Sequence, residues 1–385
     1  MRQLAAAFAQ ASLRAVDWDA AHEVGAHGQA PLRSASKLAG EKPQQAAALR
    51  TQQGLMVAGS TERKIDKMIH LLVKNATVVV PGPKIASQIG VSHSTVGVWV
   101  KRLRELGVEI KGHLGTGYQL LKIPDILAPS LTQAELGESE IGHSIIHHFR
   151  TDSTNTAALI LAQKGAEHGT VVVAEEQTGG RGRLGRTWYS EKSSGIYVSV
   201  ILRPPFPPSA APILTLMAGV ATQHALSTTT GLSVDIRWPN DLLVNGKKVA
   251  GILTEMNAEL GRLHAVVLGI GINVNHSEMP AELKRLATSL RIESQRTWSR
   301  VQIFIALLKE LERYYHLLLE KGNAAIAERW AAASTYANSK RIRIVTAEAE
   351  SLATTVGLDP SGALRVRHED GREEALVAGE IAEVK

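Results

Sequence analysis

The chain has 385 residues, 44% of them hydrophobic and 21% charged, which is enough apolar side chain for packed cores in two or three domains. It contains no cysteine, so disulfides, thiolate metal sites and cysteine nucleophiles are excluded. The formal net charge of +6 leans toward a polyanionic partner, and no apolar run reaches the ~18 residues of a membrane span, so a cytoplasmic protein is expected.

Residues 1–60 are rich in Ala, Gln, Gly and Ser with little periodicity. Arg14, Asp17 and Asp19 interrupt the apolar stretch that a signal peptide would need. This segment is expected to be a mostly disordered extension, with Met56 and Met68 as alternative starts.

Residues 61–122 carry the marks of a small basic module. RKIDKMIHLLVK has apolar side chains at helical spacing. PGPKIASQIG gives a short second helix ended by Gly90. VSHSTVGVWVKRLRELG gives a third, with Ser92 as N-cap and Val96, Val100, Leu103 and Leu106 on one face. The tight turn at Gly90–Val91–Ser92 is the helix-turn-helix signature. VEIKGHLGTGYQLL reads as a hairpin, so the unit is a winged helix. Such a third helix enters the major groove by its N-terminal end. His93, Ser94 and Thr95 are the candidate base readers; Lys101, Arg102 and Arg104 are placed for phosphates, with Lys111 and His113 on the wing.

Residues 123–142 are proline-interrupted and acidic, a linker with room for a short helix. Beyond it, IIHHFR, VVVAEEQ, GIYVSVIL, VDIRW, DLLV, KKVAGILTE and HAVVLGIGINV read as strands. TAALILAQKGA, residues 210–228, about 280–287 and 299–321 read as helices. Together they imply an α+β domain over 143–333 with a mixed or antiparallel sheet. His143 and His147 have metal-ligand spacing, but on a strand they lie ~13 Å apart.

TGGRGRLGRTW, residues 178–188, has the glycine spacing of a dinucleotide loop. That motif requires a helix next, and TWYSEKSSGIYVSVIL instead turns into a strand. Glycines interspersed with Arg181, Arg183 and Arg186 suit a different device. Either it is a mobile loop whose guanidinium groups would meet phosphate oxygens as pyrophosphate departs, or it is a flexible basic surface loop. In RWPNDLLVNGKKVAGILTE, Asn240 and Asp241 are candidates for magnesium, adenine or ribose groups, and a hairpin lysine could face the site. LGIGIN allows close backbone approach, with Asn273 as a polar reader. Asp152–Ser153–Thr154–Asn155 reads either as a structural helix cap or as a holder of a small polar head group.

DSTN, EEQTGGRGRLGRTW, RWPNDLLVNGKKVAGILTE and GIGINVN, in this order, resemble the biotin protein ligases. With the winged helix in front, the chain resembles the bifunctional form, a biotin operon repressor that is also the biotin–carboxylase ligase. The resemblance runs from about residue 62 to the end, where short strands over 334–385 are similar to the family's SH3-like C-terminal barrel. It implies three units: an N-terminal winged helix-turn-helix, a central α+β biotin/lipoate-ligase-like catalytic domain with a mixed sheet, and that barrel.

The resemblance also implies a reaction. Biotin and ATP form biotinyl-5′-AMP with magnesium present, and a lysine of biotin carboxyl carrier protein of acetyl-CoA carboxylase then takes the biotin. Ser153, Thr154, Asn155, Gln177, Arg181, Gly182, Arg183 and Lys248 would contact biotin, with Lys248, Arg183 and Arg181 catalytic. Arg183, Arg186, Trp188, Asn240, Asp241 and Asn273 would hold the nucleotide, Asp241 with the metal. A homodimer of the adenylate-bound form would repress biotin synthesis genes at operator DNA. The alternatives are a ligase whose winged helix no longer regulates, and a lipoate-ligase-like enzyme. Leu184 departs from the family pattern, which often has arginine there, and the N-terminal extension lies outside it.

Overall fold

The structure is a computed structural model and describes residues 60–259, 262–345 and 350–384. The expectations for residues 1–59 lie outside these.

Helix α1 (60–74), strand β1 (Val79–Val80), helices α2 (Gly82–Ile89) and α3 (His93–Glu105), and strands β2 (Ile110–His113) and β3 (Gly117–Leu120) form the winged helix. The apolar spacing read from the sequence places Ile65, Met68, Leu72, Ile85, Val96 and Leu103 in one core. Gly90 takes a left-handed φ of 71° that ends α2, and Ser92 Oγ accepts the Thr95 N–H to start α3. β1 was not expected; it adds to the hairpin in the order β1-β3-β2. Leu106, expected in the core, is only half-buried because it caps α3.

The linker holds helix α4 (Pro129–Leu136). The central unit then runs β4 (Ile145–His148), α5 (Thr154–Gln163), β5 (Val171–Ala174), β6 (Gly195–Leu202), α6 (Ile213–Thr230), β7 (Asp235–Arg237), β8 (Asp241–Val244), β9 (Lys247–Glu259), β10 (Arg262–Asn273), α7 (Leu290–Ser294), α8 (Arg300–Lys321) and α9 (Asn323–Ala333). Its seven-stranded sheet has the order β4-β5-β6-β10-β9-β8-β7. Only β4 and β5 pair in parallel, across the α5 crossover, so the sheet is mixed. Side chains alternate across it. Val172, Ile201 and Val267 face Ala157 and Ala158 of α5. Val171, Val173, Val200 and Val266 face the core shared with α6, α8 and Trp330 of α9.

The helix expected at about 280–287 is a run of turns. Its N–H groups bond locally, Leu283 and Lys284 to the Pro280 carbonyl and Leu286 and Ala287 to the Leu283 carbonyl. Its end is tied to β9, where Lys248 donates to the Leu286 carbonyl and Thr288 to the Lys248 carbonyl, each at 2.9 Å. Helices α7 and α9 were not foreseen.

Strands β11 (Asn338–Val345), β12 (Glu350–Leu358), β13 (Leu364–His368), β14 (Glu373–Leu376) and β15 (Glu380–Glu383) form a five-stranded antiparallel sheet in the order β14-β13-β12-β11-β15. Ile342, Ile344, Leu364 and Val366 join the central core, so the C-terminal sheet and the central unit share one apolar interior.

The winged helix is also seated on the central unit. Glu62 of α1 pairs with His148 at 3.0 Å and accepts the Phe149 N–H at 3.1 Å, all three buried. Arg102 of α3 stacks over the Phe149 ring at 4.5 Å.

Candidate active site

A cavity of about 870 Å³ opens on the sheet face. Its floor is made by glycines of the two longest strands. A Cβ on Gly269 would lie 2.1 Å from Asn155 Oδ1, and one on Gly271 would lie 2.5 Å from the Trp188 indole. A Cβ on Gly251 would meet Lys248 and Trp188 at 2.8 to 3.0 Å. The close approach expected of LGIGIN is therefore made by the protein's own Asn155 and Trp188.

At one end, α5 begins at Ser153. Its hydroxyl makes no capping bond within the helix; Asp152 accepts the Ser153 N–H instead. The cap reading of this turn is thus only partly right: Asp152, not Ser153, supplies a side-chain acceptor here, and the Thr154 hydroxyl serves Gln177 and Ser199. Thr154 donates its N–H and its hydroxyl to Gln177 Oε1 at 2.8 and 3.1 Å. Gln177 Nε2 donates to Ser190 Oγ at 2.9 Å. Ser199, a polar residue buried in an apolar strand, lies within 2.8 Å of Thr154 Oγ1 and 2.5 Å of Asn155 Oδ1. Ser199 was missed, although a lone serine in GIYVSVIL was the available signal.

The Gly-Arg loop closes over this floor as a flap. Arg181 and Thr187 form an isolated bridge at its base, and Gly182 N–H donates to the Arg186 carbonyl at 2.7 Å. Arg181 pairs with Glu255 at 2.7 Å. Arg183 donates to Asn240 Oδ1 at 2.9 Å and to the Gly379 carbonyl at 3.2 Å. Arg186 pairs with Glu380 through both oxygens. Burial pulls the Arg183 guanidinium below its usual range, opposed by Glu380 and Asp241. Leu184 sits exposed at the tip with a left-handed φ of 55°. Residues 380–384 of the C-terminal segment line the cavity with the flap, a contribution no sequence signal announced.

Lys248 Nζ lies 2.5 Å from Asp241 Oδ1, and Arg237 Nη2 lies 2.7 Å from Asp241 Oδ2. Burial alone would raise the Asp241 carboxyl, but Lys248 and Arg237 hold it below the ordinary carboxylate range. Both of its oxygens are therefore committed to cations. Asp241 is not a ready-made magnesium ligand, and no group of carboxylates and imidazoles among the described residues is arranged around a metal position. Lys248 Nζ also stands 5.4 Å from the Trp188 ring. Asn240 donates to the Ile252 carbonyl, which fixes the amide that receives Arg183. Asn273 donates to the Thr288 carbonyl, and its Oδ1, like Trp188 Nε1, is buried without a protein partner. All thirteen candidate ligase residues thus line one cavity.

The candidate nucleic-acid face is less uniform. Ser94 and Thr95 hydroxyls lie 2.8 and 2.7 Å from Ser92 Oγ. The His93 ring packs where a side chain on Gly82 would stand. Lys101 and Lys111 are exposed. Arg102 is half-buried and its guanidinium stacks over the Phe149 ring, a contact its sequence context does not announce. Arg104 donates to the Ile110 carbonyl, and His113 bonds Gln119, so both brace the wing.

Comparison with known proteins follows this geometry. Residues 148–273 match the biotin/lipoate A/B protein ligase family, and residues 64–119 match an HTH domain. The chain is 36% identical over 316 residues to the bifunctional ligase/repressor BirA of Bacillus subtilis, covering 81% of this chain and 96% of that protein. The chain belongs to the bifunctional ligase/repressor family. The Escherichia coli member is 28% identical over 301 residues, 78% of this chain and 92% of the relative. A solved biotin protein ligase from Aquifex aeolicus, in complex with biotin and ATP, superposes with a TM-score of 0.55 at 29% identity, covering 63% of this chain and 99% of that one. The helix-turn-helix and the mixed-sheet catalytic unit of this ligase/repressor are therefore the two halves that the family's description joins.

Proposed function

We propose that this chain is a biotin–[biotin carboxyl-carrier protein] ligase that also represses transcription in response to biotin. The observation that carries the ligase reading is the convergence of Lys248, the flap arginines and the Ser153–Asn155 turn on one cavity of about 870 Å³. In this reading Ser153, Thr154, Asn155 and Gln177 hold biotin. Trp188, Asn240, Asn273 and Arg186 hold the nucleotide. Biotin's carboxylate oxygen attacks the α-phosphorus of ATP; that O–P bond forms as the bond to pyrophosphate breaks. The two reactants are both anions, so Lys248, Arg181 and Arg183 neutralise them. Lys248 leaves Asp241 to do so, and Arg237 keeps Asp241 compensated. Magnesium would enter bound to the triphosphate. A carrier lysine amine then attacks the biotinyl carbonyl carbon, loses a proton, and displaces AMP.

In the same reading the flap excludes water from the mixed anhydride until the carrier arrives. Residues 61–122 bind operator DNA through Ser94, Lys101 and the wing, and 334–385 form an SH3-like barrel whose 380–384 segment completes the nucleotide end. The DNA-bound form is an adenylate-loaded homodimer. The helix-turn-helix match on the same chain as the ligase match supports the repressor half.

One experiment tests the ligase half: protein, ATP, magnesium and labelled biotin, with and without a biotin carrier domain. Labelled adenylate and labelled carrier are expected. No adenylate from biotin, or adenylate from lipoate only, overturns the reading. A gel shift on upstream regions of biotin synthesis genes tests the repressor half.

A further inference from the structure

One carboxylate oxygen holds the flap and the biotin-side helix together. Glu255 Oε2 lies 2.7 Å from Arg181 Nη2 and 2.8 Å from Asn155 Nδ2. Glu255 follows Gly251 and Leu253 on β9 at the two-residue spacing that keeps side chains on one sheet face. A carboxylate can only accept. Asn155 must therefore turn its NH₂ toward Glu255 and its Oδ1 toward the Ser199 hydroxyl, 2.5 Å away. The Arg181 side chain is 41% exposed and that of Glu255 20%, so this ion pair is a partly exposed anchor at the start of the flap, beside those made by Arg183 and Arg186.

We propose that Glu255 is a positioning residue for adenylate retention. It serves as the internal counter-anion that docks Arg181, and with it the flap, before substrate is present, and it fixes the orientation of the Asn155 amide. An incoming ligand carboxylate or phosphate competes with Glu255 for Arg181, so the flap passes from a protein anion to a ligand anion without an unpaired guanidinium. The inference rests on the ligase reading for its retention readout, and on the geometry alone for its flap readout.

The test uses the full chain and the variants E255Q, E255D, R181A and E255Q with R181A. In ligand-free protein, trypsin cleavage between Arg181 and Arg186 is expected to accelerate about three- to tenfold in E255Q, the range of a partly exposed charged pair. With biotin and ATP, the half-life of retained adenylate should fall by a similar factor. Pyrophosphate exchange at saturating substrate should change by less than about twofold, which separates flap docking from chemistry. E255D, which keeps the charge on a shorter arm, should restore part of both readouts; it also carries the test if E255Q does not fold. The double variant should retain adenylate no worse than R181A alone. Unchanged trypsin rates, or losses that multiply in the double variant, overturn the proposal. If the wild type makes no adenylate, the ligase reading falls while the trypsin comparison still decides the docking of the flap.

Discussion

Arg186 and Glu380 meet in a two-pronged ion pair, at 2.7 and 2.8 Å, across 194 residues of chain. The pair fastens the outer half of the flap to β15. Replacing Glu380 by Gln should raise the KM for ATP about three- to tenfold and leave the KM for biotin within about twofold, if Arg186 serves the nucleotide end as proposed. Steady-state kinetics in both substrates checks it; equal rises in both constants would contradict the division of the cavity.

In the proposed reaction Lys248 neutralises the carboxylate–phosphate encounter. Lys248→Ala should lower biotin-dependent pyrophosphate exchange by at least about 100-fold. The fold should survive, since Arg237 still pairs with Asp241. Normal exchange in a folded variant would remove Lys248 from the chemistry.

Asn273 Oδ1 is a buried acceptor without a protein partner. An acceptor there suits the exocyclic amine of adenine and opposes the carbonyl oxygen that guanine carries at the same edge. Asn273→Leu should raise the KM for ATP by about tenfold and narrow the preference for ATP over GTP. Paired kinetics with the two nucleotides measures both effects.

On the DNA side, two neighbouring basic residues should behave differently. Lys101 is exposed, whereas Arg102 is stacked on Phe149 at 4.5 Å. Lys101→Ala should reduce the log–log salt slope of operator binding by about one. Arg102→Ala should leave that slope unchanged. Titrations at four salt concentrations suffice to separate them.

His276 is fully buried, and burial with the nearby Arg300 lowers its pKa from 6.5 to about 4. The unfolded chain therefore binds the extra proton first. Stability contributed by the neutral ring is complete above pH 6.5 and is lost as pH falls toward 4, by up to about 3 kcal/mol. Glu175, lowered from 4.5 to about 2 despite burial because Arg300 and His147 face it, loses its contribution only in the lower window between those values. Urea midpoints between pH 7 and pH 4.5 should slope downward in the wild type and flatten in His276→Gln.

Much of this was written locally in the chain. The winged helix followed from apolar spacing and from Gly90 and Ser92, since each acts within a turn of its own position. The Gly-Arg loop stood out because glycines interspersed with arginines suit an anion site, although the same residues also suit a basic surface loop. Contacts across long separations were not legible. Nothing near Glu380 or Glu255 signals that each meets a flap arginine, and nothing near Arg102 signals Phe149. The 280–287 segment reads as a helix, yet it stays a run of turns whose last residues are tied to Lys248 on β9 through the Leu286 carbonyl. Asp241 looked like a metal ligand because Lys248 and Arg237, which occupy it, converge only in three dimensions.

Glu62 crosses from α1 into the central unit, where it meets His148 and the Phe149 N–H. A protein trimmed to its catalytic half by cutting at residue 122 would keep His148 and that N–H but lose their acceptor, three residues before the turn that begins at Asp152. Stripping a charged partner from a buried site is among the costliest single losses a fold can suffer. The tidy seam between reader and enzyme is therefore no place to cut: amputating the former takes a buried partner from the latter.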